Sequence, residues 1–281
     1  MKNIKSSASQ DDILTKAEIN TLYFDDPKSE IIERELNDTK MQYFYFDSDL
    51  KIKTKTNELL NGCLLSGNAI LNYDEASYDI SQFDIFFLPA EKELTIKIDL
   101  NYSNNYKICL YYCPYDKKVE ADFEIQHYDP EKFLPRGEYG SNKKMATFRT
   151  VWTAIKNNYF MSGFTNIPME SLKQGVITSV NLEKNEKGDI EIYPHIHPEY
   201  PEVYIMCIDD KDYAITQYLI NIKGNSVCRD LSNGDGLYFP GSLGHSNFCR
   251  PFYRELNYCM YYWCIPTFGK TEIVNPITIK V

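Results

Sequence analysis

The sequence predicts an all-β protein built as two barrels or sandwiches in tandem. Three observations predict it: a strand-favouring composition, short apolar segments with regular turn signals between them, and an internal repeat. Aromatic residues make up 14% of the 281 residues, and tyrosine alone accounts for 23. Such side chains suit a pleated, half-buried surface. From Leu59 onward, Ser66-Gly67-Asn68, Asn72-Tyr73-Asp74-Glu75 and Ser81-Gln82 punctuate runs of strand length, the spacing of a sandwich or barrel.

Taken in order, residues 1 to about 40 are polar. A stretch from Ser29 to Leu36 is compatible with a helix, with Ile31, Ile32 and Leu36 on one side. Strands begin at Met41-Gln42-Tyr43-Phe44-Tyr45-Phe46. The repeat then appears. Asp84-Ile85-Phe86-Phe87-Leu88-Pro89 parallels Asp235-Gly236-Leu237-Tyr238-Phe239-Pro240, and Cys109-Leu110-Tyr111-Tyr112-Cys113-Pro114 parallels Cys259 to Pro266. Two matches in the same order indicate two copies of one strand-turn-strand unit. The expected division is a first domain over 1–113, a connector over 114–147 and a second domain over 148–281. The connector is dense in Pro, Gly and charge, as an exposed crossing segment should be. His127, Asp129 and Glu131 read there as ordinary polar loop residues.

The chemistry gathers in the second copy. The chain has four histidines, and His195 and His197 are separated by one residue. On an extended strand both point to one face. The proline-rich stretch Pro198-Glu199-Tyr200-Pro201 turns the chain, so that Glu202 returns to that face. His245 follows five residues after Pro240. An H-x-H pair alone is a weak signal, since most histidines are ordinary polar residues. Together with Glu202 and His245 it forms a ligand set suited to zinc, iron(II), manganese or nickel, with open positions. The first copy has Leu94 five residues after Pro89 and no histidine before His127, so it is expected to hold no metal.

The pattern His-x-His-x4-Glu followed by Gly-x5-Pro-x4-His resembles the paired motifs of the cupin β-barrels. Ser242 stands where that superfamily usually has glycine. Within it, the spacing from His195 to His245, the string Glu202-Val203-Tyr204 and the pair Arg149-Thr150 resemble the 5-keto-4-deoxyuronate isomerases, grouped with the 5-deoxyglucuronate isomerases. The family tends to carry a basic pair where this chain has Pro198 to Pro201. The resemblance implies two cupin-type (jelly-roll) barrels, a homo-oligomer, and one divalent ion, most simply zinc, on His195, His197, Glu202 and His245. It also implies an aldose–ketose isomerase acting on a deoxy-uronate through an enediolate.

Tyr204 shares a strand face with Glu202 and is a candidate catalytic group; the alternative is one more core aromatic. A uronate needs a carboxylate clamp, for which arginine is suited. Arg149, Arg229, Arg250 and Arg254 are the candidates, and Arg149 matches the family. The proton-moving base is open among Tyr204, Glu199 and a bound hydroxide. A metal-dependent cupin oxygenase and a non-catalytic sugar-binding or regulatory cupin remain alternatives.

Charge and targeting bound the rest. The net charge of −10 argues against nucleic acid, whose phosphates need basic patches. The stretch Met1 to Asp12 has no apolar signal core, and runs such as Ile85 to Leu88 are too short for a bilayer. Eight cysteines without C-x2-C pairs read as free thiols in a reducing cytoplasm.

Overall fold

The computed structural model describes residues 22–98, 105–114, 122–136, 149–156, 159–177, 180–184, 190–192, 197, 200–221, 224–241 and 243–267. The chain is built almost wholly of strands. The first are β1 (Tyr23–Phe24), β2 (Ile32–Leu36), β3 (Thr39–Phe46), β4 (Leu50–Lys53), β5 (Glu58–Ser66) and β6 (Ala69–Tyr73). Then come β7 (Ala76–Ile80), β8 (Ile85–Leu88), β9 (Glu93–Ile98), β10 (Tyr106–Pro114), β11 (Glu124–Gln126) and β12 (Leu134–Arg136). They are followed by β13 (Arg149–Lys156), β14 (Phe160–Asn166), the short helix α1 (Met169–Gln174), β15 (Val176–Ile177), β16 (Val180–Lys184) and β17 (Ile190–Ile192). The last are β18 (Glu202–Ile208), β19 (Ile215–Ile220), β20 (Ser226–Leu231), β21 (Gly236–Phe239), β22 (Gly244–Cys249) and β23 (Cys259–Pro266). All pairings between them are antiparallel.

Two barrels result. In the first, a six-stranded sheet (β11-β8-β5-β10-β3-β2) faces a four-stranded one (β4-β9-β6-β7). In the second, a seven-stranded sheet (β1-β21-β18-β23-β14-β13-β12) faces a four-stranded one (β15-β22-β19-β20). Each barrel encloses an apolar cluster, with Leu64, Ile96 and Ile108 in the first and Met206, Ile215 and Leu237 in the second. A third cluster lies between the two large sheets, which pack back to back. It joins Tyr43, Cys63, Cys109 and Tyr111 to Val203, Ile205, Tyr238 and Tyr262. Strands such as β10, β18 and β23 are therefore buried on both faces, which is why their sequences run apolar without alternation.

The repeat has a physical cause in the aspartates that open it. Asp84 Oδ2 accepts from Ser81 N at 2.8 Å, and Oδ1 from Tyr128 N at 2.6 Å. Asp235 does the same with Ser232 N and Asp26 N, each at 2.9 Å. Each carboxylate thus closes its own turn and clamps the residue that follows an edge strand, β11 in the first barrel and β1 in the second. The two edge strands come from elsewhere in the chain. β11 and β12 lie in the segment expected to be a plain connector, yet they extend the sheets of both barrels. β1, far ahead of the second barrel in sequence, completes that barrel's large sheet.

One expectation is overturned. The stretch from Ser29 to Leu36 is not a helix but an irregular lead into β2. Ile32, Arg34 and Leu36 alternate with more exposed glutamates, and β2 pairs with β3 from Ile32↔Tyr43 to Leu36↔Thr39. Asn37 and Asp38, at φ 48° and 62°, make a two-residue hairpin turn, which forces antiparallel pairing.

A polar latch also ties the halves together. Asp26 accepts from Lys107 Nζ at 2.9 Å, Tyr45 OH at 3.0 Å and Tyr43 OH at 3.1 Å. Burial alone pushes the Lys107 ammonium down, but Asp26 and Tyr45 more than reverse this and its pKa ends up raised. Asp26→Ala would strand that cation, whose side chain is only 10% exposed. The expected loss is about 2 kcal/mol, less than the ~3–5 kcal/mol of a fully buried pair because Asp26 is partly in water. Urea unfolding would measure it. Adding Lys107→Met should restore most of the stability.

Candidate metal centre

Three ligand-type side chains converge at one end of the second barrel. Glu202 is the first residue of β18 and faces the interior, in register with Phe239 on β21. His245 is the second residue of β22, on the opposite sheet. His197 lies in the loop that leads into β18. One ligand atom from each falls within 4.8 Å of the others. His197 Nδ1 is 2.5 Å from Glu202 Oε1, and His245 Nε2 is 3.9 Å from Oε2. His195, the fourth expected ligand, lies outside the described residues, as does Glu199.

The donor set fits a divalent cation. Glu202 is fully buried, and a carboxylate so placed needs charged or hydrogen-bonding partners around it, which His197 and His245 supply here and a cation would complete. His245 Nδ1 is 3.3 Å from the carbonyl oxygen of Leu243. A carbonyl only accepts, so Nδ1 carries the proton and Nε2 keeps its lone pair, the tautomer a metal ligand needs. Tyr204 OH is 2.8 Å from that Nε2, so the phenol sits at the centre itself, its ring stacked on Tyr261.

Two features outside the ligands hold the loop that carries His197. Tyr111 of the first barrel donates to the Pro201 carbonyl at 2.9 Å. On the other side Gly241 touches the loop backbone. A Cβ there would lie 2.4 Å from His197 O and 2.5 Å from Tyr200 N. Neither feature was read from the sequence, although Gly241 stands next to Pro240 in the second motif.

The first barrel shows what the same positions look like with hydrocarbon. Through the pairings β5–β8 and β18–β21, Leu60 stands where Glu202 does, and Gly62 where Tyr204 does. Through β6–β9 and β19–β22, Leu94 stands where His245 does. A Cβ on Gly62 would come 2.2 Å from Phe86 Cζ, so the Phe86 ring takes the space that a larger side chain would need.

The arginine candidates are distributed differently. Arg250 pairs with Asp230 at 2.6 Å, Arg254 with Asp210 at 3.1 Å, and Arg229 with Asp25. All three pairs are on the outer surface, so these residues do not form the expected carboxylate clamp. Arg149 opens β13, one strand in from the sheet edge, and its side chain is outside the described residues. His127, read as a loop residue, is exposed and 2.9 Å from Asp84. Among the described residues, seven cysteines are buried free thiols, and Cys228 is exposed.

Burial pushes the Glu202 carboxyl up, but the imidazoles of His197 and His245 and the Tyr204 hydroxyl outweigh it and hold its pKa below the ordinary value. A depressed carboxyl contributes stability that is complete above the unfolded pKa and lost as pH falls through the folded one. Unfolding of metal-stripped protein at descending pH should show that loss. A Glu202→Gln variant should lack it.

No family model matches this sequence, and no curated protein matches it. Solved structures do. An IolB-like protein from Salmonella typhimurium LT2 superposes with a TM-score of 0.61 over 89% of this chain and 94% of that one, at 12% identity. AerE from Microcystis aeruginosa gives 0.53 over 88% and 98%, at 13% identity. YlbA from E. coli gives 0.52 over 95% and 100%, at 7% identity. The likeness is one of fold, the arrangement of two antiparallel β-barrels in tandem. Among the described residues, no helix is long and apolar enough to cross a membrane.

Proposed function

We propose that the protein is a metal-dependent isomerase that interconverts the aldose and ketose forms of a sugar acid of the deoxy-uronate class. The observation that carries this reading is the convergence of His197, Glu202 and His245 around a buried carboxylate. His195 is proposed as the fourth ligand, and zinc as the ion. Such an ion supplies positive charge for a carbonyl oxygen and for the enediolate that isomerisation requires.

The chain's own groups have separate tasks. Glu202 is a ligand and not the base, because a carboxylate engaged by two imidazoles and a cation is a poor proton acceptor. Tyr204, whose hydroxyl reaches the same point, is placed to hydrogen-bond a substrate oxygen and to pass a proton. The aromatic walls formed by Phe239 and Tyr261 keep water from the reacting carbons. Arg149 is proposed to bind the carboxylate, on the strength of its match to the isomerase motif alone. Buried thiols support a reducing, cytoplasmic setting, and Leu134, exposed on edge strand β12, supports assembly into a homo-oligomer.

The test is incubation of metal-loaded protein with 5-keto-4-deoxyuronate in deuterated water. Deuterium is expected in the product at the carbon beside the carbonyl, and not with Glu202→Gln. Full metal occupancy without turnover would favour a binding protein. Oxygen uptake by the iron-loaded form would favour an oxygenase.

A further inference from the structure

Two buried polar atoms of the second barrel have no role in the chemistry above. Trp263 on β23 lies directly across from Tyr204 on β18 and belongs to the interior cluster. It is 7% exposed, and its Nε1–H is buried with no acceptor. Gln217 on β19 belongs to the facing sheet, between the interior residues Ile215 and Leu219. Its Nε2 donates to the carbonyls of Ser246 and Tyr218 at 3.1 and 3.2 Å. That orientation fixes Oε1 as a free acceptor, and it too is buried without a donor. Gln217 is in register with Asn247 on β22, two residues along from His245.

Folded chains pair nearly all their buried polar groups, and an exception asks for an explanation, a bound water, ion or ligand among them. Here one donor and one acceptor stand on opposite walls, one residue pair below the level of Glu202 and His245. Binding sites use a few such polar groups among apolar walls to fix a ligand's orientation, and a ligand reaching these two would have to part the side chains that now cover them. Both groups are uncharged, whereas Arg229, Arg250 and Arg254 lie outside the barrel.

We propose that Trp263 Nε1 and Gln217 Oε1 are ligand-binding groups. The indole N–H donates to a hydroxyl or carbonyl oxygen of a polyhydroxylated ligand, and the Gln217 carbonyl accepts from one of its hydroxyls. This rests on the functional reading above and adds to it that the hydroxylated part of the sugar chain is read by neutral groups. A deoxygenated analogue would leave a buried group unmet, so discrimination is built into the walls.

The test uses full-length, metal-loaded protein with ¹⁵N-labelled tryptophan. The chain has two tryptophans, hence two indole N–H signals, and Trp263→Phe identifies which is which. On addition of 5-keto-4-deoxyuronate, the Trp263 signal should move while that of Trp152, packed between the barrels, stays. By calorimetry, Trp263→Phe and Gln217→Met should each bind the sugar acid about ten-fold more weakly or worse, at unchanged metal content. An unmoved Trp263 signal, unaltered affinity in both variants, or no binding by the parent protein would each overturn the assignment. If a variant fails to fold, the signal of the parent protein still decides. Binding that moves the Trp263 signal without deuterium incorporation would overturn the isomerase and leave these binding groups standing.

Discussion

Glu202→Gln is expected to leave the second barrel folded but without its metal. Replacing a residue that merely orients a ligand costs about 10–100-fold in metal affinity. Losing a carboxylate ligand should therefore exceed about 100-fold, and purified protein should carry almost no divalent ion by elemental analysis. The fold should survive because the interior around the site is built by Met206, Ile215, Leu237 and their neighbours. Stripped of metal, the variant should be somewhat less stable than the parent at neutral pH, since it lacks the stabilisation that His197, His245 and Tyr204 give the ionised carboxylate. His197→Ala should release the ion in the same way. One ion per chain retained in both variants would place the metal elsewhere.

Gly241→Ala should have the next largest effect, although Gly241 is no ligand. The added carbon would meet only backbone atoms, His197 O at 2.4 Å and Tyr200 N and O at 2.5 and 2.7 Å. No side-chain rotation relieves such contacts, so the loop must move off β21 and carry His197 with it. Overpacking of this kind costs about 1–3 kcal/mol. A displaced ligand should add a loss of metal affinity comparable to that of an orienting residue, about 10–100-fold. Thermal unfolding with and without chelator separates the two: the stabilisation conferred by metal should shrink more than the stability of the metal-free chain. An unchanged metal increment would show that the loop yields without moving His197.

Much of this molecule was legible before its structure, and the remainder was hidden for identifiable reasons. The repeat around Asp84 and Asp235 was visible as a string, and of the four ligands named from the spacing the three that are described, His197, Glu202 and His245, lie together. Why the aspartates recur was not visible, because their partners, Tyr128 and Asp26, are remote in sequence. Ile31-Ile32-Glu33-Arg34-Glu35-Leu36 satisfies both a helical and a strand period. The deciding signal was the Asn37-Asp38 turn, whose consequence for the preceding residues was missed. The unmet N–H of Trp263 was not visible, since nothing local reveals that it lacks an acceptor. The connector hid β11 and β12 because three residues are enough to add an edge to a sheet, yet too few to show a period.

The place of β1 bears on how the chain comes into being. The strand that closes the seven-stranded sheet is made well before its partner, and its clamp Asp235 lies 209 residues beyond Asp26. At roughly 5–20 residues per second, Leu22, Tyr23 and Phe24 wait on the order of 10–40 s for the edge they will join. Throughout that time the outward face of the first barrel, with Met41, Tyr43 and Tyr111, has no covering sheet. The nascent first half is thus the vulnerable species, adhesive on one face and trailing an unpaired apolar segment until β21 has been made.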